Sequence, residues 1–350
     1  MKIAFLLPSL ANQGPIIVAK DIVNNIIKDN HKVDVFYFDN IVEVKFDCNC
    51  YKISIWKSIN FDNYDIVHSH MLRPDFYIWK IKKQNQKTKF ITTLHQDIWQ
   101  NLRGNYNSVI ATIFEKVWLY LIKSSDYIVM LSETMKEQYL HKLNQSCIRV
   151  IYNGRDLESK DRNIIEIEDY NTLNKIKSKY NIIGVLALLT KRKGVDQLIK
   201  ALPILEKFAL VIVSDGKEKD NLMKMAKKLD VADRCCFLGY RTDAHRYLYY
   251  FDIYSQPSIS EGFGLVLLEA GLYKKPVICS DIPIFRELFS DNEVCFFQLN
   301  DTQSLVDSIN KTYYEKEDFS LNIYNKVVNI YGIKEMTTKY LNLYKELIKS

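Results

Sequence analysis

Short apolar runs alternate with helical patterns along the first half of the chain. Residues 16–28 (IIVAKDIVNNIIK) carry apolar side chains three and four positions apart, the spacing of one helix face. The runs that predict buried strands are KIAFLL, KVDVFYF, DIVHSH, FITTL, YIVMLS and RVIYN, which begin at residues 2, 32, 65, 90, 127 and 149. Strand–helix–strand alternation of this kind predicts a parallel sheet with helices on both faces.

A polar stretch at residues 157–181 interrupts this alternation and predicts a domain boundary. The pattern then resumes in GVLALL, ALVIVSDG, RCCFLGY, DIYSQPS, PVICSD and VCFFQL. The last residues, YGIKEMTTKYLNLYKELIKS, have a helical apolar stripe and predict a final helix that packs back on the first half. We therefore predict an α/β protein with two doubly wound, Rossmann-like domains. They comprise residues 1–156 with the C-terminal helix at about 335–350, and residues 157–334.

Composition agrees with a globular protein of two domains. A chain of 350 residues exceeds one ordinary core, and its 47% hydrophobic and 26% charged residues are typical of soluble proteins. The net charge of +6 comes without a nucleic-acid-binding motif, so we expect no nucleic-acid partner. Seven cysteines without metal-site spacing predict reduced thiols in the cytoplasm. No run approaches the roughly 18 apolar residues of a membrane-spanning helix.

The stretch PSISEGFGLVLLEAG (residues 257–271) is the richest in candidate chemistry. It opens a helix that is apolar on every side except at Glu269, although a lone carboxylate is rarely buried without a partner. Glu261 lies eight residues earlier, and Gly262 and Gly264 would let a phosphate approach the backbone N–H groups of the helix start. We interpret the loop as a diphosphate site with a hydroxyl-binding carboxylate on each side. The alternative is that Glu261 caps the helix and Glu269 pairs with a basic residue.

A cationic cluster, TKRKG (residues 190–194), follows the strand GVLALL and precedes a helix. Three cations at the end of a strand suit a diphosphate, whereas a solvated turn is the alternative interpretation. Parallel sheets bind ligands beyond the carboxyl ends of their strands, which is where the glutamate loop also lies. This shared position favours a joint phosphate site.

The first half offers fewer candidates. His95, at the end of the strand FITTL, is a better catalytic candidate than His68 and His70, although any one such histidine is more often a packed or surface residue than a catalytic one. Gly14 is the one glycine of the loop after the first strand, where a backbone could approach a phosphate. Because this loop lacks the GxGxxG pattern, we interpret Asp39 as a turn residue rather than the ribose-binding acid of a dinucleotide enzyme.

Together these segments resemble a known family. The motifs DIVHSH, TTLHQD, SSDYIVMLSE, IRVIYNGRD, KGVDQLIKALP, VSDG, FLGY and PSISEGFGLVLLEAGLYKKPVICSD resemble those of the retaining glycosyltransferases of family four, in the same order over nearly the whole chain. The two glutamates with their glycines are the specific part of the match. The resemblance implies a GT-B fold, in which two Rossmann-like domains face each other across a cleft.

The resemblance also implies an activity and roles for particular residues. A hexose or N-acetylhexosamine would pass from a nucleoside diphosphate sugar, most commonly a UDP-sugar, to an acceptor hydroxyl with retention and without a metal or other cofactor. Glu261 and His95 would act on the transferred sugar, Glu269 would bind the ribose, and Lys193 would neutralise the diphosphate. The other donor-binding positions would be Gly14, Arg192, Gly216, Gly262, Phe263, Gly264 and Leu265.

Three positions depart from the family pattern. Leu188 occupies the place of a common arginine, and Arg192 or Lys191 could supply the second positive charge. Ser214 replaces the first glycine of the usual GDG, and Gly14 is the single glycine of the first loop. These departures concern the phosphate site rather than the fold.

We therefore expect a cytoplasmic glycosyltransferase of O-antigen, capsule or lipopolysaccharide biosynthesis. Its acceptor would be a saccharide or a polyprenyl-diphosphate-linked saccharide, which implies peripheral contact with the inner face of the inner membrane. The aromatic helix VIATIFEKVWLYLIK (residues 109–123) could make that contact, but its stripe is better interpreted as core packing. The alternative functions are a UDP-N-acetylhexosamine 2-epimerase-like isomerase and a catalytically silent sugar-nucleotide-binding subunit.

Overall fold

The chain forms two compact α/β units. The computed structural model describes residues 1–103, 106–157 and 164–349. Unit 1 comprises Met1–Arg155 and Tyr331–Ser350, and unit 2 comprises Asp156–Ile330. The polar stretch that we interpreted as a boundary begins close to the first junction, although its residues 158–163 lie outside the described part of the chain.

Unit 1 is built on a parallel sheet. Within the described residues its strands are β1 (Lys2–Leu7), β2 (Lys32–Tyr37), β3 (Asn49–Lys52), β4 (Ile66–His70), β5 (Lys89–Leu94), β6 (Tyr127–Met130) and β7 (Ile148–Val150). They pair in the order β3-β2-β1-β4-β5-β6-β7, and every neighbour is parallel. The hydrophobic pattern did not predict β3, because this edge strand has the polar sequence NCYK.

Helices cover both faces of this sheet. Those described in unit 1 are α1 (Gly14–Lys28), α2 (Leu72–Ile81), α3 (Ile98–Arg103), α4 (Ser108–Ile122), α5 (Glu133–Tyr139) and α13 (Ile333–Lys349). One apolar cluster joins β1 and β4 to α2, and another joins β5 and β6 to α4. The C-terminal helix α13 packs against α1, and Tyr344 of α13 forms a 2.7 Å hydrogen bond between its hydroxyl and Nδ1 of His68. The last helix is therefore an integral part of unit 1.

Helix α4 has two apolar faces. Its inner face packs into unit 1 through buried Trp118, Leu119 and Ile122, as the sequence interpretation of core packing predicts. The other face is also apolar but is exposed, which that interpretation did not foresee. The exposed side chains are Val109, Ile113, Phe114, Val117 and Tyr120. Core packing thus explains only half of the hydrophobic residues of this helix.

Unit 2 repeats the architecture with another parallel sheet. Its described strands are β8 (Asn181–Val185), β9 (Phe208–Ile212), β10 (Cys235–Phe237), β11 (Ile253–Gln256), β12 (Val277–Ser280) and β13 (Cys295–Phe297), in the order β10-β9-β8-β11-β12-β13. Its described helices are α6 (Ile167–Lys177), α7 (Val195–Ala201), α8 (Lys219–Lys228), α9 (Leu265–Leu272), α10 (Pro283–Leu288), α11 (Thr302–Tyr314) and α12 (Lys316–Ile330). The strands and helices enclose one large apolar core.

The strand orders locate the place where each unit can bind a ligand. In unit 1 the order reverses between β1 and β4, and in unit 2 it reverses between β8 and β11. Loops leave the carboxyl ends of adjacent strands in opposite directions at such a point, which opens a crevice. Across the described ranges, no helix is long and apolar enough to cross a bilayer.

Candidate functional site in unit 2

The loops that follow β8 and β11 are joined to each other. After β8 the chain makes a short 3-10 turn at Lys191–Lys193 and reaches Gly194, whose φ of 61° and ψ of 23° are left-handed. Ile259 N–H donates to the carbonyl of Arg192 at 2.8 Å, and the buried amide of Gln197 donates to the carbonyl of Pro257 at 3.0 Å. The cationic turn and the glutamate loop therefore form one structural element.

Gly194 is required where these two loops meet. A Cβ at this position would lie 2.1 Å from the carbonyl oxygen of Pro257, which is too close for any side chain. Its left-handed backbone also disfavours other residues. The glycine that follows the cations thus brings the turn against the glutamate loop.

The carboxylate of Glu261 lies at the centre of this element. Its side chain is only 8% exposed and forms an ion pair through Oε1 with the amine of Lys193. Oε1 also accepts hydrogen bonds from the hydroxyl of Ser258 at 2.7 Å and from the amide of Gln256 at 2.8 Å. Oε2 has a weaker neighbour, the guanidinium of Arg192 at 3.5 Å. Oε1 is thus saturated by protein donors, and Oε2 remains the oxygen that can accept from a ligand.

This environment keeps Glu261 ionised. Burial by itself would raise its pKa, but the charges of Lys193 and Arg192, with hydrogen bonds from Lys193 and Ser258, outweigh burial and lower the pKa to about 2. Arg192 is itself held by a 2.6 Å hydrogen bond to the carbonyl of Ser260. The result is a fixed carboxylate beside two cations.

Gln256 and Ser258 are functional candidates that the sequence interpretation missed. Both side chains are buried, and the hydroxyl of Tyr254 donates to the amide oxygen of Gln256. That bond fixes the amide so that its nitrogen faces Ser258, at 3.1 Å, and Glu261. Tyr254 and Gln256 lie on the same face of β11 because side chains two positions apart point the same way. One sequence signal could have identified these residues: a glutamine at the end of a predicted buried strand, directly before the loop that carries the glutamate.

Glu269 lies on α9, the apolar helix, and is partly buried. The helix buries Leu267, Leu268 and Gly271, and Gly271 packs against α12. Burial first, and then the negative charges of Glu261 and Glu269, raise the pKa of Tyr254 well above its usual value. Both carboxylates therefore lie near the same buried hydroxyl.

The start of α9 has the geometry expected of an anion-binding turn. Gly264 has a φ of 90° and precedes Leu265, the first residue of the helix, and no side chain caps this end. Phe263 is buried, so its backbone rather than its ring is available to a ligand. Gly262 is partly exposed in the same loop. A helix start of this kind presents backbone N–H groups to an anion.

Gly216 packs closely against Leu189, which precedes the cationic turn. It follows β9 with a φ of 155°, and a Cβ there would lie 2.4 Å from the carbonyl oxygen of Leu189. Leu188, at the place of the family arginine, is 62% exposed. Of the two cations considered as replacements, Arg192 lies beside Glu261, whereas Lys191 is exposed. Arg192 is thus the better placed of the two.

Gly14 and His95 belong to unit 1. Gly14 is the first residue of α1, after β1, and is followed by Pro15. His95 follows β5, and its Nε2 lies 2.6 Å from Nδ1 of His70 at the end of β4. Burial lowers the pKa of His95 to about 3. Both residues therefore lie at the carboxyl edge of their own sheet.

Comparison with known proteins identifies the family of this chain. Residues 166–326 match the family described as glycosyl transferases group 1, and residues 49–159 match glycosyltransferase family 4. The O-antigen biosynthesis glycosyltransferase WclY of Escherichia coli is 31% identical over all of this chain and 99% of its own length. A second Escherichia coli protein, UDP-Gal:alpha-D-GlcNAc-diphosphoundecaprenol alpha-1,3-galactosyltransferase, is 23% identical over 85% of this chain and 79% of its own.

Solved structures support the fold. HepE of Anabaena, crystallised with UDP, aligns with a TM-score of 0.81 over 99% of this chain and 100% of its own, at 17% identity. The predicted architecture of two Rossmann-like units and the resemblance to family four are thereby confirmed. The chain belongs to the family-four glycosyltransferases and has the GT-B fold.

Proposed function

We propose that the protein transfers a hexose or N-acetylhexosamine from a nucleoside diphosphate sugar, with UDP as the nucleotide, to a saccharide acceptor with retention of anomeric configuration. The observation that carries this proposal is the contact between Lys193 and Glu261. In a nucleotide sugar, the transferred ring is joined directly to a phosphate. A cation for the phosphate and a carboxylate for the sugar hydroxyls must therefore lie side by side.

The surrounding residues fit the rest of such a donor. The diphosphate would lie between the start of α9 and the cations Lys193 and Arg192. Oε2 of Glu261 would accept from hydroxyls of the transferred sugar, and Glu269 would accept from the ribose. The backbone from Gly262 to Leu265 would line the donor between them. For unit 1, the family resemblance supports Gly14 as a donor-binding residue and His95 as a catalytic residue, and we propose these roles here.

We also propose that the leaving diphosphate needs no metal. Lys193 and Arg192 would provide the positive charge that a divalent cation supplies in other enzymes, and Lys193 does so as a nearly buried amine, 16% exposed. A fixed cation of this kind costs no reorganisation when charge develops on the leaving group.

The names of the relatives support a role in surface polysaccharide synthesis. WclY is named for O-antigen biosynthesis, and the galactosyltransferase is named for a UDP-Gal donor and a diphosphoundecaprenol-linked acceptor. The structure of HepE contains UDP. We accordingly propose a lipid-linked saccharide acceptor for this chain, in O-antigen, capsule or lipopolysaccharide biosynthesis.

The exposed face of α4 supports contact with a membrane that carries such an acceptor. Val109, Ile113, Val117 and Tyr120 recur at helical spacing and are each at least half exposed. The exposed lysines of this helix and its end, Lys116 and Lys123, would lie near anionic headgroups. We propose that the protein is cytoplasmic and binds the inner membrane peripherally through this face.

A donor screen tests the proposed activity. The purified full chain is incubated with a panel of UDP-, GDP- and ADP-sugars and a synthetic polyprenyl-diphosphate-linked saccharide. Products are detected by mass spectrometry, and their stereochemistry is assigned by NMR. We expect one UDP-sugar to yield an extended, α-linked lipid product. A new epimer formed from UDP-N-acetylhexosamine without acceptor would instead indicate an isomerase and contradict the proposal.

A further inference from the structure

Three histidines of unit 1 form a contiguous series at the carboxyl edge of its sheet. The ring centroids of His68 and His70 are 4.4 Å apart, and those of His70 and His95 are 4.9 Å apart. His68 and His70 are fully buried on β4, whereas His95 is partly exposed. The series of rings therefore extends from the interior of the unit to its surface.

The inner histidine is fixed by hydroxyl groups. Nδ1 of His68 is 2.7 Å from the hydroxyl of Tyr344, and Nε2 is 2.7 Å from the hydroxyl of Thr93. A hydroxyl can donate or accept, so both nitrogens of a neutral His68 are satisfied. The ring of His70 packs against both His68 and Phe5, with its centroid 5.8 Å from that of Phe5. His70 has little freedom to turn.

Only one hydrogen can lie between the facing nitrogens of His70 and His95. Nδ1 of His70 and Nε2 of His95 are 2.6 Å apart, so one ring donates and the other accepts. Nε2 of His70 is buried and has no hydrogen-bond partner within the described residues. If Nδ1 of His70 accepted, the hydrogen of that neutral ring would be on Nε2, as a buried donor without an acceptor. Such orphaned N–H groups are the rarer and costlier case.

The favoured arrangement therefore has His70 donating from Nδ1. Nε2 of His95 must then be an unprotonated acceptor, and the hydrogen of neutral His95 lies on Nδ1. Burial keeps both rings neutral near pH 7, because it lowers the pKa of His95 to about 3 and that of His70 well below its usual value. Within the described residues Nδ1 of His95 makes no hydrogen bond to protein.

We propose that His70 is a positioning residue that holds His95 as the Nδ1–H tautomer, so that His95 meets its ligand as a hydrogen-bond donor and not as a general base. The ligand group that matches such a donor is an oxygen acceptor, such as a sugar hydroxyl or a phosphate oxygen. The contact of His95 with the sugar donor rests on the proposed function, whereas the tautomer rests on the geometry of unit 1 alone.

The tautomer can be measured directly on the unmodified protein. Histidine is labelled with ¹⁵N in the full chain, and long-range ¹H–¹⁵N spectra at pH 7 distinguish nitrogens that carry hydrogen from bare ones. The His95 signals are assigned by their loss in His95→Phe, with exposed His141→Phe as the control for removal of one histidine. We expect a protonated Nδ1 and a bare Nε2 on His95. A hydrogen on Nε2, or on both nitrogens, would overturn the proposal whatever the activity.

Two variants at position 70 test the cause. His70→Phe keeps an aromatic ring beside His68 but removes the donor, so we expect His95 to become a mixture of tautomers and kcat to fall about tenfold. In this variant KM for the nucleotide sugar should change little. His70→Asn can place its amide N–H near the position of Nδ1 and should restore both the tautomer and most of kcat.

The possible results separate this inference from the proposed function. An unchanged His95 tautomer in His70→Phe would refute the positioning role, because nothing else in the proposal fixes the hydrogen. Full transfer activity in His95→Phe would refute the catalytic role of His95. The tautomer of His95 would still be decided by the wild-type spectrum, which does not depend on activity. If His70→Phe does not fold, the wild-type spectrum and His70→Asn decide the question.

Discussion

Glu261 is held in place by more groups than its sequence position suggests. Three donors converge on Oε1, and two of them, Gln256 and Ser258, come from the end of β11 and the loop that follows it. The third, Lys193, lies 68 residues earlier in the chain. Removing one partner of a buried charged group typically costs several kcal/mol, because the remaining charge is left unpaired. The same contacts that position Glu261 therefore contribute to the stability of unit 2.

The stability contributed by Glu261 should depend on pH. Its pKa falls from an ordinary value of 4.5 to about 2 in the folded protein, so the unfolded chain binds its proton first as the pH falls. We predict that Glu261→Gln lowers the free energy of unfolding by about 3 kcal/mol at pH 7, measured by urea denaturation. The difference from wild type should be fully present above about pH 5 and should shrink between pH 4.5 and 2.

The control for this experiment is Glu206→Gln. Glu206 is exposed and precedes β9, at the edge of the sheet opposite the site. The free energy of unfolding of Glu206→Gln should equal that of wild type at every pH. A deficit of Glu261→Gln that persists unchanged at pH 2 would show that the carboxylate charge is not what stabilises the site.

Gln256 should control the protonation of Glu261. Its amide nitrogen donates to Glu261 at 2.8 Å, so Gln256→Glu would place a second carboxylate at that distance. Two carboxylates so close do not both ionise readily, which raises the pKa of one of them. We predict that the acidic limb of the pH–activity profile moves upward by about one pH unit or more.

The matched control is Gln303→Glu. The amide of Gln303 also bonds to a carboxylate, that of Asp307 at 2.8 Å, but this pair is exposed on α11. Water screens the new charge there, so its pH profile should match wild type. If the pH–activity profile of Gln256→Glu were identical to that of wild type, residue 256 would not influence the protonation of Glu261.

At the scale of elements, α9 and α4 had similar hydrophobic sequences but have different surroundings. The sequence correctly indicated that α9 is buried, because this helix is apolar on every side except at Glu269. The structure adds that its Gly271 packs against α12. For α4 the pattern could not separate its two apolar faces. One face is buried by tertiary packing against β5 and β6, and nothing in the pattern of α4 indicates that the other face is left exposed.

The exposed face of α4 predicts membrane binding. We expect the double variant Ile113→Glu and Val117→Glu to weaken binding to vesicles that contain anionic lipid by about tenfold or more. Each substitution removes an apolar side chain that would be buried in the bilayer and adds a negative charge that the anionic headgroups repel. Vesicle cosedimentation measures this. Circular dichroism should remain unchanged, because both side chains are already exposed in the folded protein.

Leu321→Glu is the control on α12 of unit 2. Leu321 is 54% exposed, much like Ile113 at 56%. The Leu321→Glu substitution therefore replaces a similarly exposed apolar side chain by a carboxylate, but outside the proposed face. It should bind vesicles as wild type does. Equal binding by the α4 variant and wild type would refute this face as the membrane contact.

For the whole molecule, the sequence predicted the repeated architecture well because buried parallel strands have a strong local signal. The sequence also predicted Glu261, Lys193 and the glycines as site residues, since loops at strand ends carry ligands. The pairing of Lys193 with Glu261 was not found, because local patterns do not report contacts between distant loops. Gln256 and Ser258 were missed for a similar reason, since their role depends on the amide orientation that Tyr254 fixes.

The proposed absence of a metal requirement can be tested on the complete enzyme. We predict that transfer in excess EDTA proceeds at the rate measured without chelator, within about twofold, because Lys193 and Arg192 supply the positive charge beside the diphosphate. Lys193→Ala should instead lose transfer about a hundredfold. Loss of activity in EDTA and its recovery with added Mg²⁺ or Mn²⁺ would contradict this part of the proposal.

The central claim is that Glu261 binds the transferred sugar of a nucleotide donor. The most direct test is the initial rate of transfer from the preferred UDP-sugar to a lipid-linked acceptor, compared for wild type, Glu261→Gln and Glu206→Gln at pH 7. Loss of a charged hydrogen bond to the reacting sugar predicts a rate about a hundredfold lower for Glu261→Gln and an unchanged rate for Glu206→Gln. A folded Glu261→Gln protein that transfers sugar at the wild-type rate would contradict the account.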